Sequence, residues 1–343
     1  MFLYGEDNER VPPPDHPLEY YDVGARLDTD APAERVGDGI YAIDTLCVRP
    51  RMDASHLIVD QGRAAFVDTG SSHSAPRLMR ALSALQLDAA AVDYILLTHV
   101  HLDHAGGAGR LAALLPQAQV LVHPRGAPHL CDPARLIAAT RAVYGARRYA
   151  KMYGAVLPVP ARRIRAVEDG ERVQVGRRTL QFMHTPGHAL HHLCIALPET
   201  REIFSGDTFG ISYRELDSAA GRFIFATTTP TQFDPRQLDA SIDRLLRLRP
   251  EAIYLTHYSR VGDVARLGAD LRADIAALAA IAKSAAGAPA RKSALAARLF
   301  EHWSRRLDVH GYAGDAGRRH ALLDMDIDLN AAGLDAWLAR IAS

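Results

Sequence analysis

The sequence predicts an α+β fold built from two β-rich halves and a helical C-terminal part. Short apolar runs, each closed by Gly, Asp or Ser, are typical of strands, and they begin near Gly37. One pattern occurs twice in the sequence. In each copy, a strand that ends in an acidic turn is followed by a later strand that ends in Thr-His. The acids are Asp68 and Asp207, and the histidines are His99 and His257. Two facing halves of this kind would bring both pairs of side chains to one seam.

The composition is that of a globular chain and excludes several classes of protein. Of 343 residues, 48% are hydrophobic and 23% are charged, which rules out a disordered or fibrous chain. Lys and Arg number 40, as do Asp and Glu, so bulk charge gives no reason to expect a nucleic-acid or membrane partner. The densest basic group, Arg162, Arg163 and Arg165, is interpreted as a solvated surface.

Targeting and redox signals favour a cytoplasmic protein. The N-terminal residues are acidic and then proline-rich, without the basic and apolar regions of a signal peptide. No apolar run comes near the length of about 18 residues that a membrane-spanning helix needs. The three cysteines, Cys47, Cys131 and Cys194, are too widely spaced for a disulfide framework or a cysteine-rich zinc site. This usage of cysteine fits a reducing compartment.

The patterns divide the chain into three regions. Residues 1–36 carry several prolines among charges and predict an extended arm. Residues 37–260 predict the β-rich domain, with a helical insertion at about 125–157 between its halves. Residues 261–343 predict a helical C-terminal extension.

Within these regions the individual elements follow from apolar spacing. Strands are predicted at 39–45, 56–60 and 64–70, and a further strand runs into a His-rich turn at 94–104. Helices are predicted at 75–87, 265–287 and 294–307, with a linker at 287–293 and a short last helix at 335–341.

The strongest chemical signal is the sequence HVHLDH at residues 99–104. Residues two apart on an extended segment point the same way, so His99 and His101 can share one metal ion. Asp103 and His104 follow the turn and can face a second ion. A solvated His-rich turn is the alternative, but three histidines directly after a buried strand have no structural reason without a ligand.

Three more candidate ligands follow in the chain: His188 in TPGH, Asp207 in SGD, and His257 at the end of the last strand. A carboxylate has two oxygens, so Asp207 can bridge two cations. The candidates form a three-histidine site (His99, His101, His188) and a mixed site (Asp103, His104, Asp207, His257). Three imidazoles with an open fourth position are typical of a catalytic zinc, and two such ions lower the pKa of a shared water to about 7 or below.

These motifs resemble those of the metallo-β-lactamase fold superfamily, which contains glyoxalase II, lactonases and RNase Z. The resemblance covers about 37–260 and implies a four-layer αββα sandwich with a dinuclear site at the edge between its sheets. It also implies two ligand sets: His99, His101 and His188 for the first metal, and Asp103, His104 and His257 for the second, bridged by Asp207. Asp68 resembles the carboxylate that steadies the histidine loop. His192 matches the second histidine of a glyoxalase-type TPGHTxGH segment, although Ala189 and His191 replace its Thr and Gly.

The resemblance implies a dinuclear hydrolase whose metal-bridging hydroxide attacks an ester, thioester or lactone carbonyl. Asp103 would take the proton of the hydroxide, and His192 would orient the substrate. The expected cofactor is two Zn²⁺ per chain, with Fe or Mn as substitutes. Two other hypotheses stay open: a mononuclear iron dioxygenase of persulfides or thiols, and a non-enzymatic metal-binding protein.

Two segments are candidates for shaping the substrate pocket. The long loop at 209–234 contributes Tyr213 and Arg214 as candidate pocket residues. In the insertion, Tyr149 and Tyr153 lie four residues apart and share a helical face, where they form either a lid or part of the core. We expect a small-molecule substrate and no membrane or nucleic-acid partner, and the sequence is compatible with a homodimer.

Overall fold

The computed structural model of the chain describes residues 33–228 and 232–342. Most of the predicted arm, residues 1–32, lies outside the described residues, as do residues 229–231 of the predicted pocket segment. The first strand begins at Glu34 and so takes in the last three residues assigned to the arm.

Among the described residues, the first sheet has seven strands whose spatial order follows the chain order. They are β1 (Glu34–Gly37), β2 (Ile40–Asp44), β3 (Ala54–Asp60), β4 (Arg63–Val67), β5 (Val92–Leu96), β6 (Gln119–Val122) and β7 (Ile164–Ala166). The first four strands are antiparallel. The pairs from β4 to β7 are parallel, with helices in the connections between them.

The second sheet, as far as the chain is described, has six strands in the order β13-β12-β11-β10-β9-β8. They are β8 (Arg172–Val175), β9 (Arg178–His184), β10 (Leu193–Leu197), β11 (Glu202–Gly206), β12 (Ala252–Leu255) and β13 (Ser259–Val261). The pairing of β11 with β12 is parallel, and the other pairs are antiparallel.

The parallel pairs explain why the acid and histidine motifs occur twice. Asp68 and His99 follow β4 and β5, which are parallel neighbours. Asp207 and His257 follow β11 and β12, which are the parallel neighbours of the second sheet. Parallel strands end at the same edge of a sheet, so each sheet delivers its acid and its histidine from one edge.

Ten helices lie in the described part of the chain. They are α1 (Ala75–Ala84), α2 (Leu102–Ala105), α3 (Ala108–Leu114), α4 (Ala127–Cys131), α5 (Ala134–Tyr144), α6 (Ala146–Tyr153), α7 (Pro235–Arg247), α8 (Val264–Ser284), α9 (Arg291–His310) and α10 (Ala316–Ala342). None of those described is both long and apolar enough to cross a bilayer.

The core has three layers of contact, which gives the predicted αββα sandwich. One cluster fills the space between the sheets, with Val67 and Leu96 from the first sheet against Phe182 and Phe204 from the second. A second cluster packs α1 and α3 on the outer face of the first sheet. A third packs α7 and the C-terminal helices on the outer face of the second sheet. The predicted fold class is therefore confirmed.

The C-terminal helices share their core with the second sheet. Trp303 on α9 is fully buried, with its ring centroid 4.8 Å from that of Phe225. Asp274 on α8 accepts a hydrogen bond from the backbone N–H of Ala226 at 2.8 Å and lies 3.3 Å from Nε1 of Trp303. The segment that follows Asp207 is thus held against α8 and α9.

Most of the predicted helices are present, with two differences in extent. The insertion contains three short helices, α4 to α6, where one or two were predicted. The last helix, predicted as a short element at 335–341, is wrong in length because α10 spans 27 residues. The polar residues Asp326 and Asn330 interrupt the apolar periodicity of this helix. Both are nevertheless buried, and each is hydrogen-bonded to a partner elsewhere in the chain.

Candidate metal centre

The histidine loop begins where β5 ends, at the edge facing the second sheet. His99 is extended chain after the strand, and α2 starts at Leu102, so the chain turns into a helix between the first and second pairs of candidate ligands. His99 and His104 are fully buried, while the side chain of Asp103 keeps 30% of its surface exposed. The loop therefore presents ligands from an extended part and a helical part.

Three imidazoles surround the first candidate metal position. Nε2 of His99 lies 2.9 Å from Nδ1 of His101, and Nε2 of His188 lies 3.1 Å from the same atom. Burial, with the neighbouring histidines, lowers the pKa of His101 to about 3 and that of His188 to about 4. Both rings are thus neutral, which is the form that binds metal ions.

A second group forms around Asp103, His104 and His257. Nε2 of His104 and Nε2 of His257 each lie 3.7 Å from Oδ2 of Asp103. The ligand atoms of the three side chains lie within 4.8 Å of one another.

Asp207 stands between the two groups. Its Oδ1 lies 3.2 Å from Nε2 of His104 and 3.5 Å from Nε2 of His257, while its Oδ2 lies 3.4 Å from Nε2 of His188. One oxygen thus faces the mixed group and the other faces the three-histidine group. This is the arrangement that a bridging carboxylate requires.

The chemistry of these atoms fits metal ions. Among the described residues, Nε2 of His104 and Oδ1 of Asp207 are buried and form no hydrogen bond, although they lie 3.2 Å apart, and a bound cation would satisfy both. Burial disfavours the charged form of His104, but Asp207, Asp103 and Asp68 outweigh it and raise its pKa well above the ordinary value. A protonated imidazole among carboxylates holds a charge that a metal ion can replace.

Asp68 fixes the orientation of the histidine loop. Its carboxylate accepts hydrogen bonds from the backbone N–H of Thr98 at 2.8 Å and from the hydroxyl of Thr256 at 2.9 Å. Nδ1 of His104 lies 2.8 Å from Oδ2 of Asp68. When this nitrogen carries the proton, Nε2 of His104 keeps its lone pair toward the site. Nδ1 of His257 is held in the same way by the carbonyl of Met52 at 2.9 Å.

His192 holds Asp207 from behind. Its Nε2 accepts a hydrogen bond from the backbone N–H of Asp207 at 3.1 Å, and its Nδ1 lies 2.9 Å from the hydroxyl of Thr185. The ring is fully buried. Because both ring nitrogens are engaged within the protein, this geometry favours positioning of Asp207 over the predicted contact with substrate.

Gly206 is required at this point of close approach. Its φ of +48° lies in the left-handed region, and a Cβ there would come within 2.6 Å of Nε2 of His192. The SGD sequence thus combines a candidate ligand with the glycine that lets the backbone pass His192.

The predicted pocket residues lie mostly in packed surroundings. Tyr213 is fully buried and donates a hydrogen bond to Oδ1 of Asp326 on α10 at 3.2 Å. Arg214 donates to the carbonyl of Ser212 at 2.5 Å, and its side chain is 13% exposed. Neither side chain is therefore exposed enough to line an open substrate pocket beside the candidate metal centre.

Tyr149 and Tyr153 are buried, as the core alternative expects. They are 2% and 4% exposed and form a cluster with Leu102, the residue between the two halves of the ligand motif. The insertion therefore packs directly on the histidine loop. Partly buried Tyr144 and Met325 join the same cluster.

Two residues near the centre were not selected from the sequence. Burial raises the pKa of Asp53 to about 8, although the nearby charges of His257 and His104 lower it. His191 lies beside the first position, with its ring centroid 5.6 Å from that of His101. Its place three residues after His188 was the one available signal, whereas Asp53 has no motif that marks it.

The αββα fold and the two adjoining ligand groups place the chain in a class of metal-binding proteins. The family model of the metallo-beta-lactamase superfamily matches residues 48–257, which is more than half of the chain. The chain belongs to this superfamily, and the family predicted from its motifs is confirmed.

Named relatives match parts of the chain. A metallo-beta-lactamase fold-containing protein, ST1585 of Sulfurisphaera tokodaii, is 27% identical over 48% of this chain and 60% of its own length. An atrochrysone carboxyl ACP thioesterase of Aspergillus fumigatus is 31% identical over 45% of this chain and 36% of its own. A hydroxyacylglutathione hydrolase of Aeromonas hydrophila is 29% identical over 59% of both. The chain thus spans less than two thirds of each of these three relatives.

Solved structures share the fold over most of the chain. The ST1585 structure from Sulfolobus tokodaii aligns with a TM-score of 0.58 at 21% identity, over 87% of this chain and 98% of that one. The metallo-beta-lactamase family protein TTHA1429 of Thermus thermophilus aligns with a TM-score of 0.61 at 20% identity, over 89% and 94%. At such identity these likenesses concern the fold alone.

Proposed function

We propose that this protein is a dinuclear metal-dependent hydrolase that cleaves an ester, thioester or lactone at its carbonyl, with two Zn²⁺ ions per chain. The observation that carries the proposal is the position of Asp207. Its two oxygens face two ligand groups, so one carboxylate serves both. The complete set of ligands is His99, His101, His188, Asp103, His104, His257 and the bridging Asp207.

When bound, the two ions would polarise the substrate carbonyl and supply a nucleophile at neutral pH. The side chains of this chain then decide how substrate approaches. Asp103 is 30% exposed and His101 is also partly exposed, whereas Asp207 is 5% exposed and His104 is fully buried, so the centre is open to solvent where Asp103 and His101 lie. The carboxylate of Asp103 lies at this opening and can hold the proton released by the nucleophile.

Two of the named relatives favour a thioester within this group of substrates. One is called a thioesterase and another a hydroxyacylglutathione hydrolase. Both names describe acyl hydrolysis, which matches a centre that can polarise a carbonyl. We therefore place a thioester first among the three carbonyl classes.

The test combines metal content with a substrate panel. Protein purified without added metal is analysed for its metals, then stripped and reloaded with zinc or iron. Each form is assayed with a thioester, an aryl ester and a lactone. We expect two metal ions per chain and hydrolysis by the zinc form.

A matched variant, Asp207→Asn, keeps the shape of the bridging residue and removes one anionic oxygen. We expect it to lose hydrolysis and part of its metal content. A wild type that holds one iron and consumes oxygen with a persulfide, without hydrolysing any of the three substrates, would overturn the proposal in favour of a dioxygenase.

A further inference from the structure

A group of histidines continues outward from the first metal position, beyond the ligands. His191 follows His188 by three residues, and His129 lies on α4 of the insertion. Their ring centroids are 6.3 Å apart. Neither residue belongs to the ligand groups that the described residues form around the two metal positions.

The ring of His191 packs against two of the candidate ligands, His99 and His101. Its ring is stacked on that of His99 at 6.1 Å and is perpendicular to that of His101 at 5.6 Å. The residue is 7% exposed, and its Nδ1 is buried without a hydrogen-bond partner among the described residues. A buried, unpartnered ring nitrogen beside a reaction centre needs a partner, and a bound substrate can supply it.

The surroundings of this nitrogen are poor in negative charge. The rings of His99, His101 and His129 all lie within 6.3 Å of the ring of His191, from centroid to centroid. A neutral imidazole carries one N–H, so Nδ1 of His191 can donate a hydrogen bond when it holds that proton. The opposite side of the centre differs, because there the carboxylate of Asp103 lies 3.7 Å from Nε2 of His257.

This asymmetry orients a substrate that carries a negative charge. Imidazole N–H groups on the side of the first metal position can donate hydrogen bonds to an anion, whereas the carboxylate of Asp103 on the side of the second can only accept them. Hydrogen bonds from N–H groups to a charged acceptor contribute more than those to a neutral one.

We propose that His191 and His129 form a subsite beside the first metal position that binds a carboxylate group of the substrate. The inference rests on the proposed hydrolysis and deepens it: the substrate is an acidic acyl compound, with the carboxylate a few bonds from the carbonyl that is attacked. His191 donates from the buried wall, and His129 donates from α4 at the more exposed side.

The test uses two pairs of thioesters matched in size. The acyl pair is succinyl and butyryl N-acetylcysteamine, which differ in a terminal carboxylate against a methyl group. The thiol pair is the butyryl thioesters of 3-mercaptopropionate and of butanethiol. In wild-type zinc enzyme we expect kcat/KM to favour the acidic member of at least one pair by about tenfold or more, chiefly through KM.

The variants His191→Ala and His129→Ala should each reduce that preference toward one, with metal content unchanged. His191→Gln keeps an N–H donor and should retain part of the preference. His320→Ala is the control, since this exposed histidine on α10 pairs with Asp324 away from the centre. It should leave the preference as in the wild type.

Binding of succinate to the zinc-loaded protein, measured by calorimetry against butyrate, tests the subsite without turnover. If no thioester is hydrolysed while succinate binds and both alanine variants abolish binding, the proposed hydrolysis fails and the subsite stands. If thioesters are hydrolysed with no preference for an acidic member, or the preference survives both alanine variants, the subsite is overturned.

Discussion

The carboxylate of Asp207 lies between the two candidate ligand groups. This residue follows β11, and its backbone N–H is fixed by His192 while its two oxygens face His104 and His188. Its carboxylate is nearly buried, so a solvent water cannot easily take its place between the two candidate ligand groups. If the proposed centre binds two ions, we expect loss of this side chain to affect both metal positions, and loss of His192 to affect them only through the backbone of Asp207.

We predict that Asp207→Ala lowers kcat by at least about a hundredfold and reduces tightly bound metal below two ions per chain. His192→Ala should lower kcat less, because Asp207 keeps its side chain and loses one hydrogen bond. Elemental analysis and steady-state kinetics of the two variants check this. Equal losses in both, at wild-type metal content, would contradict the bridging role.

Asp326 links stability to pH. The residue is buried on α10, and burial raises its pKa to about 6, from about 3.9 in an unfolded chain. A carboxyl group that holds its proton more tightly in the folded state stabilises the fold at low pH. This contribution is lost as the pH rises from about 4 to about 6.

We predict that Asp326→Asn removes this dependence while its amide oxygen still accepts from Tyr213. Between pH 4.5 and 7 the wild type should lose on the order of 2 kcal/mol more unfolding free energy than the variant. Denaturant unfolding of both chelator-treated proteins measures the difference. Parallel pH profiles for the two proteins would show that Asp326 is ionised in the folded state.

At the scale of elements, the insertion α4 to α6 is a support for the histidine loop. Its tyrosines pack on Leu102, and the backbone N–H of Ser72, in the turn that follows Asp68, donates to the carbonyl of Tyr153. The insertion thus contacts the loops that follow β4 and β5. A segment packed in this way is expected to act on activity through stability.

We predict that Tyr153→Ala destabilises the protein by about 3–5 kcal/mol, as removal of a large buried aromatic side chain usually does. Tyr153→Phe keeps the ring and should cost less than about 1.5 kcal/mol. Thermal unfolding of the zinc-loaded proteins distinguishes these outcomes. An unchanged Tm together with an altered KM in Tyr153→Ala would instead favour the lid.

For the molecule as a whole, the C-terminal helices belong to the same core as the second sheet. Trp303 is fully buried against Phe225, and Arg306 on the same helix donates to the carbonyl of Ile224 at 2.9 Å. Residues 209–213 and 223–228, in the segment that follows Asp207, are therefore packed between the sheet and α8 to α10.

We predict that Trp303→Ala, although distant from the ligand motifs in sequence, lowers the stability of the whole protein by about 3–5 kcal/mol. Val309→Ala on the same helix is the control, because Val309 is 91% exposed and should change stability by less than about 0.5 kcal/mol. Calorimetry should show one cooperative transition in all three proteins. Separate melting of the C-terminal helices in Trp303→Ala would indicate an independent domain.

The local part of the centre could be predicted from the sequence. Strand ends, the HVHLDH motif and the SGD turn are short-range features, because neighbouring residues alone decide which side chains follow a strand and which turn needs glycine. The apolar periodicity likewise predicted the helical C-terminal part. These features also carried the resemblance that predicted the superfamily and its αββα fold.

Tertiary structure decided what surrounds those ligands. Tyr213 was a candidate for an open pocket, yet its hydroxyl reaches Asp326, which lies 113 residues further along the chain. The same contact explains why the length of α10 was not predicted, since its buried polar residues are satisfied by partners that the helix meets only after folding. Likewise the approach of His191 to His129 depends on the packing of the insertion. Direction and burial of a side chain follow from distant contacts, which local sequence patterns do not encode.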